Sequence, residues 1–536
     1  MHQQSLSSKL RKGFGKWRLL LLAFIGVYAF MLLLDLAHMP LQWDETNNLN
    51  GGLLLLRGHF ERYVESNMFY PPFADLTIAG YFTVTGVSVF SGRLMGTTFA
   101  LLSVWVTFEF ANKLYGAKTA LIASIILGTM PGFVWLARLT MLETMLVFFF
   151  LSSMLLFLIW LRKNENKYLV LCGVTLGLGF LTKYQTIIAL IAMVTSVFVL
   201  CRGYIKEKLS RLPLLILTGI IVIAPWIIVS YQAYSTGMLN QWLYALQVGN
   251  PQKSMYSMRF PTPIFYLIEM VWPYGTFHPI SLLVYGLGLL GIVLLLLRRK
   301  PEDKYLLIFF FVIYIFFTLI GNKEWRYVVP LFPIIAIAAA GLITFGYERA
   351  KKVWNQPHSS LNRKRLGKVA AGCLIAIVVV AVSYSCVDAY QWVNKHSPFN
   401  VPVKEAADYV ADRLAVNETL VILCPLNLFS QDMVKFYLHA AESRRWQAAQ
   451  YPDLAVDAYT PNFNLDELRE LCTNRNVKYL LLFEYGEIYP YFNSTLTMQE
   501  VYGMLMDSQG FTCETSFGEY PCKIYVLSYA AQNEMH

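Results

Sequence analysis

Long apolar runs separated by short charged segments are the feature that most constrains how this chain can fold. The chain has 536 residues, of which 56% are hydrophobic and only 15% are charged. Water-soluble proteins of this size carry more charge, and runs of about 18 or more apolar residues are typical of helices that cross a membrane. The sequence therefore predicts a polytopic α-helical membrane protein.

The apolar runs predict about eleven membrane spans, and their flanking charges predict an orientation. The spans are 19–38, 93–112, 119–137, 141–161, 168–182, 185–201, 212–230, 280–298, 305–320, 327–346 and 369–388. Cytoplasmic loops carry an excess of Lys and Arg. If segment 73–90 does not cross the membrane, all the strongly basic loops of this chain fall on the same, cytoplasmic side. We therefore expect 73–90 to be interfacial or re-entrant, the N-terminus to be cytoplasmic and the C-terminus to lie outside a plasma membrane.

The formal net charge of +10 does not indicate nucleic-acid binding. The basic residues lie mostly in short loops between spans, which is the pattern of a multi-pass membrane protein. The predicted partner is instead the lipid bilayer, and the sequence predicts no nucleic-acid partner.

Two domains are predicted, a membrane domain at 1–388 and an extracytoplasmic α/β domain at 389–536. Two sizeable outer loops, about 39–92 and 231–279, belong to the first domain. In the second, helical patterns at 403–414, 431–441, 465–473 and 498–508 alternate with strand patterns at 419–424, 478–483 and 522–528. About 145 residues can bury a core of their own. Among the cysteines of this domain, Cys513 and Cys522 are the most plausible local disulfide pair.

Asp44 and Glu45 form an acid pair directly after the first span. Ionisable residues next to lipid are costly to place, so they suggest a functional role. The alternative is that the pair only caps a helix that begins near Thr46, since acids are favourable at helix N-termini.

Four further charged residues are predicted at the outer membrane face: Arg138, Glu143, Lys183 and Arg326. Basic residues are unusual on that side. Their alternative role is to extend towards lipid headgroups, which we favour for Arg138 taken alone, whereas for Lys183 and Arg326 we favour a functional role.

This distribution of charge suits the attack of a hydroxyl or amine on a sugar that is carried by a lipid phosphate. Cations would hold the phosphate and stabilise its charge as it leaves, and a carboxylate would accept the proton of the attacking group. The remaining acids would orient the acceptor or, if the reaction uses a divalent metal such as Mg or Mn, supply its oxygen ligands. Asp44 and Glu143 are the candidate ligands.

Several motifs resemble those of the GT-C superfamily of membrane glycosyltransferases. They are Trp43-Asp44-Glu45, Tyr70-Pro71-Pro72-Phe73, Gly92-Arg93-Leu94, Ala137-Arg138 followed by Glu143, Leu181-Thr182-Lys183-Tyr184, and the segment from Arg326 to Pro333. The resemblance covers about residues 15–345. It is nearest to the branch of the dolichyl-phosphate-mannose protein mannosyltransferases and lipid A aminoarabinose transferases, although the latter have a lysine where this chain has Pro71-Pro72.

The resemblance implies a GT-C fold, a polyprenyl- or dolichyl-phosphate sugar as donor, and inverting transfer on the outer face to a lipid, glycan or protein acceptor. It implies that Asp44, with Glu45 beside it, is the base or orients the acceptor. Glu143 corresponds to the second outer-loop acid, and Lys183 to a lysine near the donor phosphate, where Arg326 and Arg138 are further candidates.

A transporter or flippase of a lipid-linked molecule is the alternative function. Transporters commonly show inverted repeats and interrupted helices with polar residues at mid-membrane. In this chain the predicted polar residues lie at one face, which favours the glycosyltransferase.

Overall fold

The fold was analysed in a computed structural model. It describes residues 2–39, 41–66, 70–240, 259–273, 277–321, 323–356, 360–395, 401–415, 417–423, 429–441, 447–451, 463–485, 496–519 and 522–530. The chain forms two compact units. The helical unit comprises Met1–Leu36, Gly58–Thr77 and Arg93–Val393, and the mixed unit comprises Ala37–Arg57, Ile78–Gly92 and Asn394–His536. The predicted domain bounds at 388 and 389 stay a prediction.

Sixteen helices account for the structure from the N-terminus to residue 395 of the described chain. They are α1 (His2–Leu33), α2 (Trp43–Leu56), α3 (Phe60–Ser66), α4 (Phe73–Thr85), α5 (Val89–Tyr115), α6 (Ala117–Thr129), α7 (Pro131–Ala137), α8 (Glu143–Lys163), α9 (Asn166–Thr182), α10 (Ile188–Leu200), α11 (Ile205–Tyr234), α12 (Phe265–Glu269), α13 (Leu282–Arg298), α14 (Pro301–Leu319), α15 (Leu331–Trp354) and α16 (Leu361–Lys395). Short 3-10 helices lie at Tyr184–Ile187, Thr262–Ile264 and Trp325–Val328.

The helical unit has the length and apolarity of a multi-pass membrane protein, as predicted. Within the described ranges, six helical segments are long and apolar enough to cross a membrane: Gly15–Leu33 of α1, α5, α8, α11, α15 and residues 361–394 of α16. The pair α6 and α7, bent by 69°, makes a seventh if it is one span. Each of the eleven predicted spans falls on a helix or helix pair, but several are short, so the number eleven stays a prediction.

Small residues let the helices of this unit pack closely. A Cβ on Gly173 of α9 would lie 1.9 Å from Thr218 Oγ1 of α11, and a Cβ on Gly291 of α13 would lie 2.2 Å from the carbonyl oxygen of Ala338 of α15. Such close approach through glycine is typical of helix packing in membranes. Gly173 therefore serves packing rather than chemistry.

Segment 73–90 contains α4, which has 13 residues. At 1.5 Å per residue the helix is about 20 Å long, which is shorter than the hydrocarbon core of about 30 Å. The expectation that 73–90 is interfacial or re-entrant stays a prediction, because α6 and α10 also have 13 residues. Of the second outer loop, 241–258 and 274–276 lie outside the described residues.

The mixed unit contains the α/β fold that the sequence predicts. Its further helices are α17 (Val403–Ala411), α18 (Gln431–Ala441), α19 (Leu465–Asn474) and α20 (Met498–Met506), and its strands are β1 (Thr419–Leu423), β2 (Gln447–Tyr451), β3 (Val477–Tyr485), β4 (Phe511–Phe517) and β5 (Cys522–Tyr529). The sheet order is β2-β1-β3-β5-β4. Strand β1 is parallel to β2 and β3, whereas β5 is antiparallel to β3 and β4.

The predicted disulfide between Cys513 and Cys522 is wrong. Both thiols are free, and the strand register keeps them apart, because Cys513 lies opposite Leu527 whereas Cys522 lies opposite Tyr485. Leu527 lies five residue steps after Cys522, which is about 16 Å along β5 at 3.3 Å per residue. A disulfide needs Cα atoms within about 7 Å.

The last residue of the predicted strand 419–424, Cys424, lies outside the described residues.

Candidate active site

Glu143 and Lys183 form an ion pair inside the helical unit. Glu143 is the first residue of α8, and Lys183 directly follows α9 with an extended backbone, φ −155° and ψ 124°. Lys183 Nζ lies 2.8 Å from Glu143 Oε1, and the two side chains are 16% and 3% exposed. The carboxylate is favoured at a helix N-terminus. The ammonium has three donors, so a bond to Glu143 leaves it with capacity for an anionic ligand.

The pair lies beside the 3-10 helix that follows α14. Lys183 Nζ lies 5.9 Å from the ring centre of Tyr327, within the range of a cation–π contact. The structure thus brings together Glu143, Lys183 and the segment that contains Arg326, which are remote in the sequence. Tyr327 was not among the predicted site residues. The only sequence signal that could have identified it is that it directly follows Arg326.

Arg326 is held close to its own backbone segment. Its Nε donates to Oε1 of Glu324, and both side chains are largely buried. The indole of Trp325, between them, packs on Trp135 and Trp392 with ring centres 6.1 and 5.6 Å away. This aromatic cluster fixes the 3-10 helix and with it the direction of Arg326.

Arg138 is directed at the end of the first helix. Its Nη1 donates to the carbonyl oxygens of Leu32 at 2.8 Å and Met31 at 3.3 Å, and its Nη2 donates to that of Asp35 at 3.0 Å. The last carbonyls of a helix lack intrahelical partners, and a cation there also matches the helix dipole. Burial, followed by the neighbouring charge of Arg93, lowers the pKa of Arg138.

These contacts give Arg138 a structural task at the end of α1. Arg93 has a similar task, because its Nη1 donates to the carbonyl oxygen of Leu36 at 2.9 Å. The prediction that Arg138 binds the donor phosphate therefore stays a prediction, and the geometry adds no support to it.

Asp44 and Glu45 belong to the mixed unit, where they lie in the first turn of α2. The backbone N–H of Gln42 donates to Glu45 Oε2 at 3.2 Å, and Glu45 is fully buried. Glu45 is therefore the acid of a capping box, on a helix that begins at Trp43 rather than near Thr46. Asp44 is only half-buried. The two acids differ in environment, although they are adjacent in sequence.

The described residues do not fit a divalent metal held by Glu143. Its carboxylate already has the ammonium of Lys183 at 2.8 Å, which supplies the positive charge that a metal would supply. Across the part of the chain that the structure describes, no group of three His, Cys, Asp or Glu side chains is arranged to hold a metal ion.

Known proteins resemble this chain both in sequence family and in fold. Residues 70–229, which contain Arg138, Glu143 and Lys183, match the family described as dolichyl-phosphate-mannose-protein mannosyltransferase. The fold is similar to that of ArnT from Cupriavidus metallidurans bound to undecaprenyl phosphate, with a TM-score of 0.62 at 14% identity. That likeness covers 95% of this chain and 98% of ArnT. The chain has the fold of the GT-C glycosyltransferases. The resemblance drawn from the sequence motifs is thereby confirmed.

Other solved GT-C proteins share the fold less closely. The archaeal oligosaccharyltransferase AglB from Archaeoglobus fulgidus, in complex with an inhibitory peptide and a dolichol-phosphate, gives a TM-score of 0.52 at 12% identity over 96% of this chain and 75% of AglB. A structure of the Archaeoglobus fulgidus oligosaccharyltransferase in complex with Zn and sulfate gives the same TM-score and identity over 85% of this chain and 67% of that one. No protein of curated function matches the sequence.

Proposed function

We propose that this GT-C protein is an integral membrane glycosyltransferase that moves one sugar from a polyprenyl-phosphate carrier to a lipid, glycan or protein acceptor. The observation that carries the proposal is the ion pair of the half-buried Lys183 and the buried Glu143, at 2.8 Å in the helical unit. A half-buried ammonium that is oriented by a carboxylate and keeps free donors is suited to binding a phosphate. ArnT is seen with undecaprenyl phosphate and AglB with a dolichol-phosphate, and both carriers present such a group.

Lys183 is the residue to which we assign the donor phosphate. Glu143 orients its ammonium, and a charge-assisted hydrogen bond to a phosphate oxygen is stronger than a neutral one. As the bond from the anomeric carbon to the phosphate oxygen breaks, the phosphate retains the electron pair, and a cation at that oxygen stabilises the developing charge. Arg326 lies on the segment that contacts Lys183 through Tyr327, and we assign it a supporting role at the donor.

Asp44 is the carboxylate that we assign to the acceptor. The acceptor hydroxyl or amine attacks the anomeric carbon on the side opposite the leaving phosphate, and Asp44 accepts the proton that is released. A single displacement of this kind inverts the configuration of the sugar. Transfer takes place on the outer face of the plasma membrane, with the N-terminus in the cytoplasm and residues 389–536 outside.

The deciding experiment is sugar transfer by purified protein in detergent with a panel of radiolabelled polyprenyl-phosphate sugars. The wild-type protein should release sugar from one carrier, and Asp44→Asn, which is nearly isosteric, should express and fold normally but lose transfer. Full activity of Asp44→Asn would refute the assignment of the base. If the wild type turned over no donor but moved a lipid-linked sugar across liposome membranes, the protein would be a transporter; the fold gives no support to that alternative.

A further inference from the structure

Helix α2, which carries Asp44, is packed within the mixed unit on the α/β fold. Asn50 Nδ2 donates to the carbonyl oxygen of Asp432 at 3.0 Å, and Asp432 is the second residue of α18. This is a side-chain bond between residues 382 positions apart in the sequence. The bond ties the helix of the acid pair to a helix of the C-terminal fold.

The end of α4 reinforces this attachment through apolar contacts. The backbone of α2 approaches α4 so closely at Gly52 that an added Cβ would lie 2.5 Å from Ile78 Cγ2. One turn further along α4, the ring of Phe82 lies with its centre 6.3 Å from that of Phe436 on α18, and both rings are buried. Helices α2, α4 and α18 are therefore in mutual contact, and Asn50 supplies a directional polar bond among them.

We propose that Asn50 is a positioning residue, which sets the place of Asp44 by fixing α2 on α18. This inference rests on the proposed function, because it gives the C-terminal α/β fold a part in catalysis through the acid pair. Asp44 lies six residues before Asn50, which is about 9 Å along a helix that rises 1.5 Å per residue. A tilt of α2 by about 10° around Asn50 would thus move Asp44 by about 1.6 Å.

A displacement of this size matters for the reaction rate. Misplacing a reacting group by about 1 Å can lower the rate about a hundredfold. Donor binding should not change, because Lys183 belongs to the helical unit and not to the mixed unit. The inference therefore predicts a lower kcat with an unchanged KM for the donor. Because a smaller folded fraction would also lower the apparent kcat, the folded state of each variant has to be measured beside its kinetics.

The test compares two identical changes on one helix in the purified full-length protein. Asn50→Asp removes the amide donor and places a carboxylate against the Asp432 carbonyl oxygen, whereas Asn47→Asp makes the same change at an exposed position of α2. Asn50→Asp should lower kcat about tenfold or more at constant donor KM, and Asn47→Asp should stay within about twofold of the wild type. Asn50→Ala, which adds no charge, should behave like Asn50→Asp.

Hydrogen exchange on the same variants separates positioning from unfolding. In Asn50→Asp, the amides of α2 should exchange faster while those of β1 and β3 keep their protection. Wild-type kcat in Asn50→Asp, an equal loss in Asn47→Asp, or loss of protection throughout the sheet would overturn the inference. Failure of the wild-type protein to transfer sugar from any donor would instead overturn the proposed function, so the two failures are distinguishable.

Discussion

Replacing Lys183 by methionine separates the two roles that its ammonium has, one in stability and one in donor binding. The change leaves the Glu143 carboxylate, whose side chain is 3% exposed, without the cation that lies 2.8 Å away. Breaking a buried ion pair from one side costs about 3–5 kcal/mol of stability. Because Lys183 keeps 16% of its side chain exposed, we expect the lower end, about 3 kcal/mol.

The loss in donor binding is a separate quantity. A hydrogen bond to a charged group contributes about 1.5–3 kcal/mol, and 1.4 kcal/mol corresponds to a factor of ten in affinity. Lys183→Met should therefore bind polyprenyl phosphate about ten- to a hundredfold more weakly. The double variant Glu143→Gln with Lys183→Met has no unpaired buried charge, so it should regain most of the lost stability but none of the lost affinity.

The assay measures binding of radiolabelled polyprenyl phosphate and thermal denaturation in detergent on the same preparations. The matched control is Lys167→Met at the other end of α9, since Lys167 and its partner Glu165 are exposed, at 65% and 43%, and an exposed pair contributes little. Recovery of donor affinity in the double variant would refute the assignment, because it would show that Lys183 acts only by neutralising Glu143. Unchanged affinity in Lys183→Met would refute it as well.

Two further predictions concern residues outside the donor site. Arg138→Gln should lower thermal stability, because the carbonyl oxygens of Leu32 and Asp35 lose buried donors, while the folded protein should bind polyprenyl phosphate as before; weaker binding at unchanged stability would instead make Arg138 a phosphate ligand. In the mixed unit, burial and then the hydrogen bond to Glu484 raise the pKa of Tyr525. Folding thus favours the neutral phenol, so stability should fall as the pH rises above about 10, and Tyr525→Phe should flatten this pH dependence in chemical denaturation.

The helices were largely predictable from the sequence because hydrophobic pattern and length are local properties. The prediction 431–441 coincides with α18, and 465–473 ends one residue before α19 ends. Strand β2 was missed, because Gln-Ala-Ala-Gln-Tyr contains no β-branched residue and only its parallel pairing with β1 defines it. Strand β4 was missed although its burial alternates with the period of two that indicates a half-buried strand.

The candidate site was predictable in its residue types and less so in its contacts. Lys183, Arg138 and Arg326 were all predicted by one argument, that basic residues are unusual at the outer end of an apolar segment. The sequence shows that such charges are costly to place, but it does not show which groups they contact. The structure distinguishes Lys183, whose ammonium donates to the carboxylate of Glu143, from Arg138, which donates to backbone carbonyl oxygens at the end of α1. The carbonyl oxygens at the end of α1 accept from Arg138 because the two segments pack side by side. Such packing between distant segments cannot be predicted from a local sequence pattern.

The contacts of the acidic residues also indicate which of them can act as the catalytic base, and this can be tested. Glu143 and Glu324 face cations, and Glu45 is fully buried where it accepts from the backbone N–H of Gln42. A base has to reach the acceptor's proton, which favours the half-buried Asp44. Glu45→Gln keeps an oxygen that can accept the Gln42 N–H, so the cap and the position of Asp44 should be retained. Transfer should stay within about tenfold of the wild type, because even complete loss of a single cap would cost only about 1 kcal/mol. If Glu45→Gln abolished transfer while Asp44→Asn remained active, the base would be Glu45 and the capping contact would be a means of holding it.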